Sequence, residues 1–303
     1  MAPKAAATAL AFAVSVAAPV AAKASFPGRD GLIAFTRTVG GERGQIHVVR
    51  PDGSGLRQLT HRRRGAGAAS WSPDGRRIAF GSIAHGKVQI FVKRLGGRTR
   101  RITPAHANFG APAWSPDGRW IAATSGHWAQ GRESFRHTIV VLRADGRRLR
   151  TVYDGGAMSA TSPAWSPDGR TIAFMHTDIG ALGASPSIYV VPAAGGEARR
   201  ITEDGAQDDP DWSPDGSLIA YSHGDALGRD AVRIMRRDGS GDRLLVDDTT
   251  DSEGWPAWAP SGGRVAFSRR GRIWTVAADG TALQQITDPP EFHSDWDPSW
   301  QPR

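Results

Sequence analysis

The chain of 303 residues contains no cysteine. This absence excludes disulfide bonds, thiolate metal sites and a lipid anchor attached through cysteine. Beyond the first 24 residues, no segment has the apolar periodicity of a long amphipathic helix. The Gly-x-Ser-x-Gly motif of serine hydrolases is also missing. The fold must therefore be stable without covalent crosslinks, and its chemistry cannot depend on a thiol or on that serine motif.

The first 24 residues differ in composition from the rest of the chain. A lysine at position 4 precedes an alanine-rich apolar run, which ends at Ala22-Lys23-Ala24. This order is typical of a secretory signal, so we expect cleavage after Ala24 and a single domain over residues 25–303. An uncleaved membrane anchor is the alternative, which Pro19 disfavours. The expected location is outside the cytoplasm, secreted or in the periplasm or cell envelope, with no transmembrane segment after cleavage.

The formal net charge is +8, of which the signal carries two units at Lys4 and Lys23. The surplus is almost entirely arginine, and such a surplus can bind polyanions. Export argues against nucleic acid as the partner, and no basic stretch is interleaved with stacking aromatics. The densest basic run, Arg62 to Arg64, is typical of a solvated loop.

A repeated motif dominates the rest of the sequence. WSPDG begins at Trp71, Trp114, Trp165 and Trp212, a relaxed copy begins at Trp258, and a truncated copy begins at Trp300. Each complete copy leads to an apolar triplet such as Ile78-Ala79-Phe80, and a sixth triplet stands at Ile33-Ala34-Phe35. Intervals of 42 to 51 residues between the tryptophans predict repeated supersecondary units.

Each unit continues with two further segments that favour strands, such as Gln45 to Val49 and Leu56 to Thr60. Four short strands in this length are the size of a propeller blade. We therefore predict an all-β, six-bladed propeller of four-stranded antiparallel blades. The mature chain begins with a second strand and ends with a first strand, so both termini are expected to pair in one blade.

The residue types of the motif explain its geometry. Proline presets the first turn position, aspartate bonds nearby amides, and glycine accepts the positive φ that ends the turn. The six tryptophans recur once per unit, so we assign them to the core rather than to ligand contact.

At these residues the sequence resembles the TolB-type propeller repeat, which occurs in the C-terminal domain of TolB and in propellers of prolyl-oligopeptidase-like peptidases. The resemblance covers about Gly31 to Trp300. It implies a propeller fold but little about function, because the α/β domain that precedes the propeller in TolB is not recognisable here.

In a propeller of this type, the loops before each tryptophan strand and after each triplet open on one face, around a central funnel. Alignment of the units places His176 and His223 at matching positions, with Arg37 and Arg269 equivalent to them. Asp209 and Asp297 match each other in the segments before the tryptophans. Nearby loops add Glu253, His293 and Asp295, and we expect an acidic side of the funnel, with Arg37 and Arg62 to Arg64 on the other side.

Imidazoles and carboxylates around one opening could hold a divalent metal or supply an acid and a base. The alternative is that funnel mouths are solvated and naturally polar, and we favour it because the repeat sets this spacing. No cofactor is therefore expected. A long insertion at Ser125 to His137 carries His127, Trp128, Arg132 and Phe135, which have the composition of an interface or of an ordinary variable loop.

The leading hypothesis is a monomeric binding or scaffold module that recognises a protein or a cell-envelope glycan through its loop-rich face. The alternative is a metal-assisted lyase, lactonase or glycosidase that uses the funnel.

Overall fold

The computed structural model describes residues 25–40, 43–128, 135–156, 159–177, 185–203, 205–225, 230–246 and 253–303. Within these ranges the secondary structure consists of strands, and no helix could cross a membrane. The strands are β1 (Asp30–Val39), β2 (Gln45–Val49), β3 (Arg57–Gln58), β4 (Gly67–Trp71), β5 (Arg77–Ala84), β6 (Lys87–Arg94), β7 (Thr99–Arg101), β8 (Asn108–Trp114), β9 (Trp120–Trp128), β10 (Phe135–Arg143), β11 (Arg150–Tyr153), β12 (Ser159–Trp165), β13 (Thr171–Thr177), β14 (Ser187–Pro192), β15 (Arg199–Arg200), β16 (Ala206–Trp212), β17 (Leu218–Gly224), β18 (Asp230–Arg236), β19 (Arg243–Val246), β20 (Glu253–Trp258), β21 (Arg264–Arg269), β22 (Arg272–Ala277), β23 (Gln284–Gln285) and β24 (His293–Pro302).

The strands form four-stranded antiparallel units, as the sequence predicts. Four sheets have the strand orders β24-β1-β2-β3, β4-β5-β6-β7, β16-β17-β18-β19 and β20-β21-β22-β23. The units β8–β11 and β12–β15 are joined into one larger sheet by a single parallel pairing, between His137 and Ser159. In every unit the strand that carries the repeat tryptophan lies at one edge, and the short arginine- or glutamine-containing strand lies at the other.

The first and last strands pair with each other over most of their length. β1 is antiparallel to β24, with Ile33 opposite Trp300 and Arg37 opposite Asp295. The tryptophan strands also contact one another in a regular order: β4 with β8, β8 with β12, β12 with β16, β16 with β20, β20 with β24, and β24 with β4. Each tryptophan strand therefore has neighbours in the units on both sides.

The hairpins between the tryptophan strand and the next strand follow from the motif. In the third WSPDG copy the Gly169 amide donates to the Ser166 carbonyl (2.9 Å), which closes the turn. Asp168 accepts hydrogen bonds from the Ser166 hydroxyl (2.6 Å) and the Arg170 amide (3.0 Å). The five hairpin glycines have φ between 63° and 74°, which confirms the prediction that these positions require positive φ.

These hairpin aspartates predict acid sensitivity. The hydrogen bond from the Ser166 hydroxyl lowers the pKa of Asp168, and the one from Ser213 lowers the pKa of Asp215. Because the folded-state pKa is depressed, the stabilisation is present above the ordinary aspartate pKa of about 4 and is lost as the pH falls below it. We expect the Asp168→Asn/Asp215→Asn variant to lose less stability than the wild type between pH 5 and pH 3 in urea unfolding.

The exposed Glu291 supplies the control for this experiment. Glu291→Gln should leave the acid-induced loss of stability unchanged. If the free energy of unfolding falls equally with pH in the wild type and in the double aspartate variant, the hairpin aspartates are not the source of the acid sensitivity.

The six repeat tryptophans lie in the interior. The exposed fraction of each side chain is between 0% and 4%. Trp71 packs with Ile78 and Phe80, and Trp258 packs with Val265 and Phe267. Among the described residues, none of the six indole N–H groups has a hydrogen-bond acceptor. The six tryptophans therefore stabilise the fold by apolar packing and not by hydrogen bonds from their indole N–H groups.

The segment ahead of β1 covers the hairpin end of the tryptophan strands. Ser25 and Phe26 are buried, and the Ser25 hydroxyl lies 2.8 Å from the carboxylate of the buried Asp211. Phe26 packs in the cluster that contains Ala111 and Trp114. This short segment therefore reaches from the edge of β1 to tryptophan strands of other units.

Candidate functional site

A bulge recurs in the tryptophan strand of every unit. Its central residues all have left-handed backbone conformations, with φ between 48° and 62°: Ala68, Ala111, Ser162, Asp209, Trp255 and Asp297. The pairing register with the neighbouring strand shifts at each of these positions. Non-glycine residues rarely adopt this conformation, and bulges often reorient side chains beside functional sites. The repeat thus directs one residue per unit away from the regular strand pattern.

The bulge residues of neighbouring units lie close together. The Ser162 hydroxyl donates to Asp209 Oδ1 at 3.0 Å, which joins β12 to β16. The Trp255 ring lies 6.0 Å from that of Trp296, centroid to centroid, which joins β20 to β24. These contacts place the bulges along the inner side of the tryptophan strands. We call this end of the strands, opposite the hairpins, the mouth.

Carboxylates are concentrated on one side of the mouth. Asp208 and Asp209 lie on β16, Glu253 on β20, and Asp295 and Asp297 on β24. We call these five residues the acidic arc. The corresponding strands β4, β8 and β12 carry no acidic residue. Four of the five carboxyl groups are buried, and Asp208 is half-buried, so most of the arc lies beneath the surface.

Two of the carboxylates pair with arginines across their sheets. Arg37 makes a two-pronged ion pair with Asp295, with both N–O distances at 2.6 Å. Arg269 Nε lies 3.4 Å from Glu253 Oε1, and burial lowers the pKa of Arg269. Arg37 was expected on the side opposite the acids, but it lies on the acidic side because strand pairing sets it opposite Asp295.

His223 occupies the equivalent position in the β16–β19 unit. It is half-buried, and its Nδ1 lies 3.5 Å from the side-chain amide of Gln207. In three units, the residue two places after the triplet therefore lies opposite the tryptophan-strand residue two places before the bulge, which is Asp295, Glu253 or Gln207.

His176 has a different environment from His223. Its exposed fraction is 6%, and its ring contacts Tyr189 (4.5 Å between centroids), Tyr153 (5.7 Å) and Phe174 (6.5 Å). The ring thus packs among aromatic residues of β11, β13 and β14. The alignment placed the two histidines at matching positions, but the aromatic neighbours of β13 and β14 give His176 a packed setting.

His293 is the first residue of β24 and lies opposite Val39, and its Nδ1 lies 3.0 Å from the Glu291 carbonyl.

In the long insertion, the strands β9 and β10 continue further than the sequence suggested. The backbones of Trp128 and Phe135 pair, as do those of His127 and Arg136, because extended aromatic residues favour strand pairing. Arg132 lies outside the described residues.

A divalent metal in the funnel is the alternative to a site without a cofactor, and it stays a hypothesis. In the part of the chain that the structure describes, no three His, Asp or Glu side chains form a group suited to a metal ion.

The sequence analysis did not single out Trp296, which lies beside Trp255 at the mouth. The Trp-Asp-Pro-Ser-Trp segment around it was a detectable signal, because Trp296 is an additional tryptophan one residue before the bulge.

Comparison with known proteins assigns this architecture. A family model described as the TolB beta propeller domain matches residues 21–303. The chain belongs to this family. The TolB-type propeller is 36% identical over 77 residues to the Tol-Pal system protein TolB of Zymomonas mobilis; the match covers 23% of this chain and only 16% of that protein.

Two solved structures share the TolB-type propeller fold. The crystal structure of TolB from Acinetobacter baumannii matches with a TM-score of 0.73 and 24% identity, over 90% of this chain and 67% of that one. A putative TolB from Agrobacterium tumefaciens matches with a TM-score of 0.66 and 20% identity, over 90% of this chain and 100% of that one. At these identities the likeness concerns the fold.

Proposed function

We propose that this TolB-type propeller is an extracytoplasmic protein-binding module, which captures a cationic segment of its partner at the acidic arc. The proposal includes a closed ring of six blades. The pairing of β1 with β24 and the order of contacts among the tryptophan strands support that ring. The signal-like first 24 residues support export. The relative in Zymomonas mobilis is named as a component of the Tol-Pal system, which agrees with a role among protein partners.

The conformation of Trp255 carries the proposal. It has φ of 56°, a conformation that costs a bulky residue on the order of 1–3 kcal/mol. Ala68 and Ala111 hold the same position in other units, so the fold does not need an aromatic side chain there. Trp255 is half-buried beside the half-buried Trp296, with its amide donating to the Ser222 hydroxyl (3.1 Å). An aromatic residue held under strain at an opening is characteristic of a binding surface.

The surrounding charges indicate what would bind. The five carboxylates of the acidic arc outnumber the two arginines that pair with Asp295 and Glu253. The arc therefore attracts cations, and it does so more strongly in low-dielectric surroundings. Indole rings attract cations over their faces, and more strongly where water is excluded. A lysine or arginine side chain, or an amino terminus, would meet both attractions at once. The acidic arc and the two tryptophans therefore favour a cationic partner segment over an acidic one.

Binding of short synthetic peptides tests the proposal. Peptides that differ only in carrying Arg, Gln or Glu at their central positions should bind in that order of decreasing affinity, as measured by calorimetry. Trp255→Ala should weaken binding of the Arg peptide on the order of tenfold. The variant should fold normally, since alanine occupies this position in two other units.

Trp120→Ala supplies the matched control, because Trp120 is also half-buried but lies at the hairpin end of β9. It should bind the Arg peptide like the wild type. Equal binding of Arg and Glu peptides would refute the proposal. Tighter binding of neutral oligosaccharides that is lost in Trp255→Ala would instead establish a glycan ligand, and turnover of a saccharide or lactone would establish an enzyme.

A further inference from the structure

Charge is divided unevenly along the chain. Residues 67–203, which form the units β4–β7, β8–β11 and β12–β15, contain 18 Lys and Arg against 9 Asp and Glu. Residues 204–303 contain 10 against 18. A propeller repeat requires no such division, because every unit has the same backbone plan. The two halves of the molecule therefore differ in the polyelectrolytes that they attract.

The basic surplus gathers on the hairpin face of two adjacent units. Exposed arginines there lie just after the WSPDG glycine, at the end of the third strand, or between the third and fourth strands: Arg76, Arg94, Arg98, Arg119, Arg147 and Arg148. We call these six residues the basic arc. Backbone hydrogen bonds hold hairpin and turn together: the Leu95 amide donates to the Arg76 carbonyl (3.0 Å), and the Ala144 amide to the Arg119 carbonyl (2.9 Å).

Two contacts hold the units that carry the basic arc against each other. The Arg77 guanidinium lies 4.5 Å from the Trp114 ring centroid, and Arg100 donates to the Ala144 carbonyl at 3.4 Å. Three exposed carboxylates lie on the same face; their hydrogen bonds leave them charged, but the six arginines outnumber them. Asp74 and Asp117 bond the hairpin hydroxyls, and Asp145 accepts the Arg147 amide (3.0 Å). The arc keeps an excess of positive charge after these interactions.

The fold itself does not need these arginines. At the position of Arg76 and Arg119, the units β16–β19 and β20–β23 carry Ser217 and Gly263, and their hairpins form the same turn. In the described part of the chain, Arg94, Arg98, Arg147 and Arg148 form no ion pair with a carboxylate. The charges of these guanidinium groups are therefore available to a ligand.

We propose that the basic arc binds a linear anionic polysaccharide along the hairpin face. Guanidinium groups bind carboxylate, sulfate and phosphate oxygens through paired hydrogen bonds, and a row of them matches a repeating polymer better than a single small anion. The arc presents arginines without exposed aromatic residues among them, which favours a polymer recognised by charge over a stacked nucleic acid strand. This site lies on the face opposite the mouth and is independent of the proposed peptide site.

Heparin is the probe for this proposal, with affinity measured as a function of salt. Arg98→Glu/Arg147→Glu should weaken heparin binding about tenfold and lower the slope of log affinity against log salt by roughly two, because two charge contacts are lost. The matched control is Arg236→Glu/Arg237→Glu, which makes the same change in net charge at exposed arginines of the β16–β19 unit. The control should change affinity less than about twofold.

Several outcomes would overturn the proposal. Equal losses in both variants would show that net charge alone drives binding, and absence of wild-type binding near physiological salt would show that the arc is not a site. Tighter binding of duplex DNA than of heparin would assign the arc to nucleic acid. The neutral variant Arg98→Gln/Arg147→Gln should give an intermediate loss, which separates a charge effect from misfolding. Binding of the Arg peptide should be unchanged in all these variants, so failure here is distinguishable from failure at the mouth.

Discussion

Asp295→Ala is expected to lower the free energy of unfolding by about 3–5 kcal/mol, because it leaves Arg37 buried without its carboxylate. The exposed fractions of the two side chains are 9% for Arg37 and 0% for Asp295. Arg37 and Asp295 lie directly opposite each other in the antiparallel pairing of β1 with β24. Urea unfolding at neutral pH measures the loss.

Two variants make this test specific. Asp288→Ala breaks an ion pair with Arg272 whose side chains are 77% and 36% exposed, and it should cost at most about 1 kcal/mol. Arg37→Met/Asp295→Leu replaces both charges with apolar groups and should recover most of the stability lost in Asp295→Ala. The assignment fails if Asp295→Ala is no more damaging than Asp288→Ala.

Trp71→Ala is expected to cost about 3–5 kcal/mol, the usual penalty for deleting a buried large aromatic side chain. Trp71 is fully buried and packs with Ile78 and Phe80. The more informative variant is Trp71→Phe. No hydrogen-bond acceptor among the described residues contacts the indole N–H, so phenylalanine loses volume but leaves no acceptor unpaired.

Trp71→Phe should therefore lose clearly less stability than Trp71→Ala in thermal or urea unfolding. Similar losses in the two variants would indicate that the indole N–H makes a bond essential to the fold. Trp120→Ala provides the comparison for a half-buried tryptophan outside the repeat position, and its cost should be smaller.

The sequence predicted the repeating part of the structure well, since local chemistry determines it. The hairpin glycines adopt positive φ, and the segment Gln45 to Val49 is a strand with the predicted bounds. Fourth strands were predicted too long: Leu56 to Thr60 contains only the two strand residues of β3. The fourth strand lies at the edge of its sheet and pairs with a neighbour on one side only. Fewer of its residues therefore form a strand than their strand propensities suggest.

The bulges at the mouth could not be predicted from local preferences. Five of the six left-handed residues precede a proline, a context that normally favours extended backbone. Tertiary packing along the inner strands imposes this conformation against local preference. Alignment of repeats located Asp209 and Asp297 at the right positions, but only the fold reveals that Trp255 is strained and that Trp296 lies beside it.

Side-chain environment was also beyond the reach of repeat alignment. His176 and His223 hold equivalent backbone positions, yet Tyr153 and Tyr189 surround the first and Gln207 lies beside the second. Equivalent positions share a backbone, while neighbours from other strands are specific to each unit. The uneven division of charge along the chain can be counted in the sequence. The gathering of arginines on the hairpin face cannot, because it depends on the turns that bring Arg76 beside Leu95.

The pairing of β1 with β24 has a consequence for biosynthesis. Asp30 pairs with Pro302, so β1 completes its sheet only after the residues of β24, more than 250 positions later in the chain, have been made. Such distant pairing slows folding and leaves one edge of β1 open until β24 is available. Nascent chains of this protein should therefore depend on chaperones to shield that edge until β24 has been made.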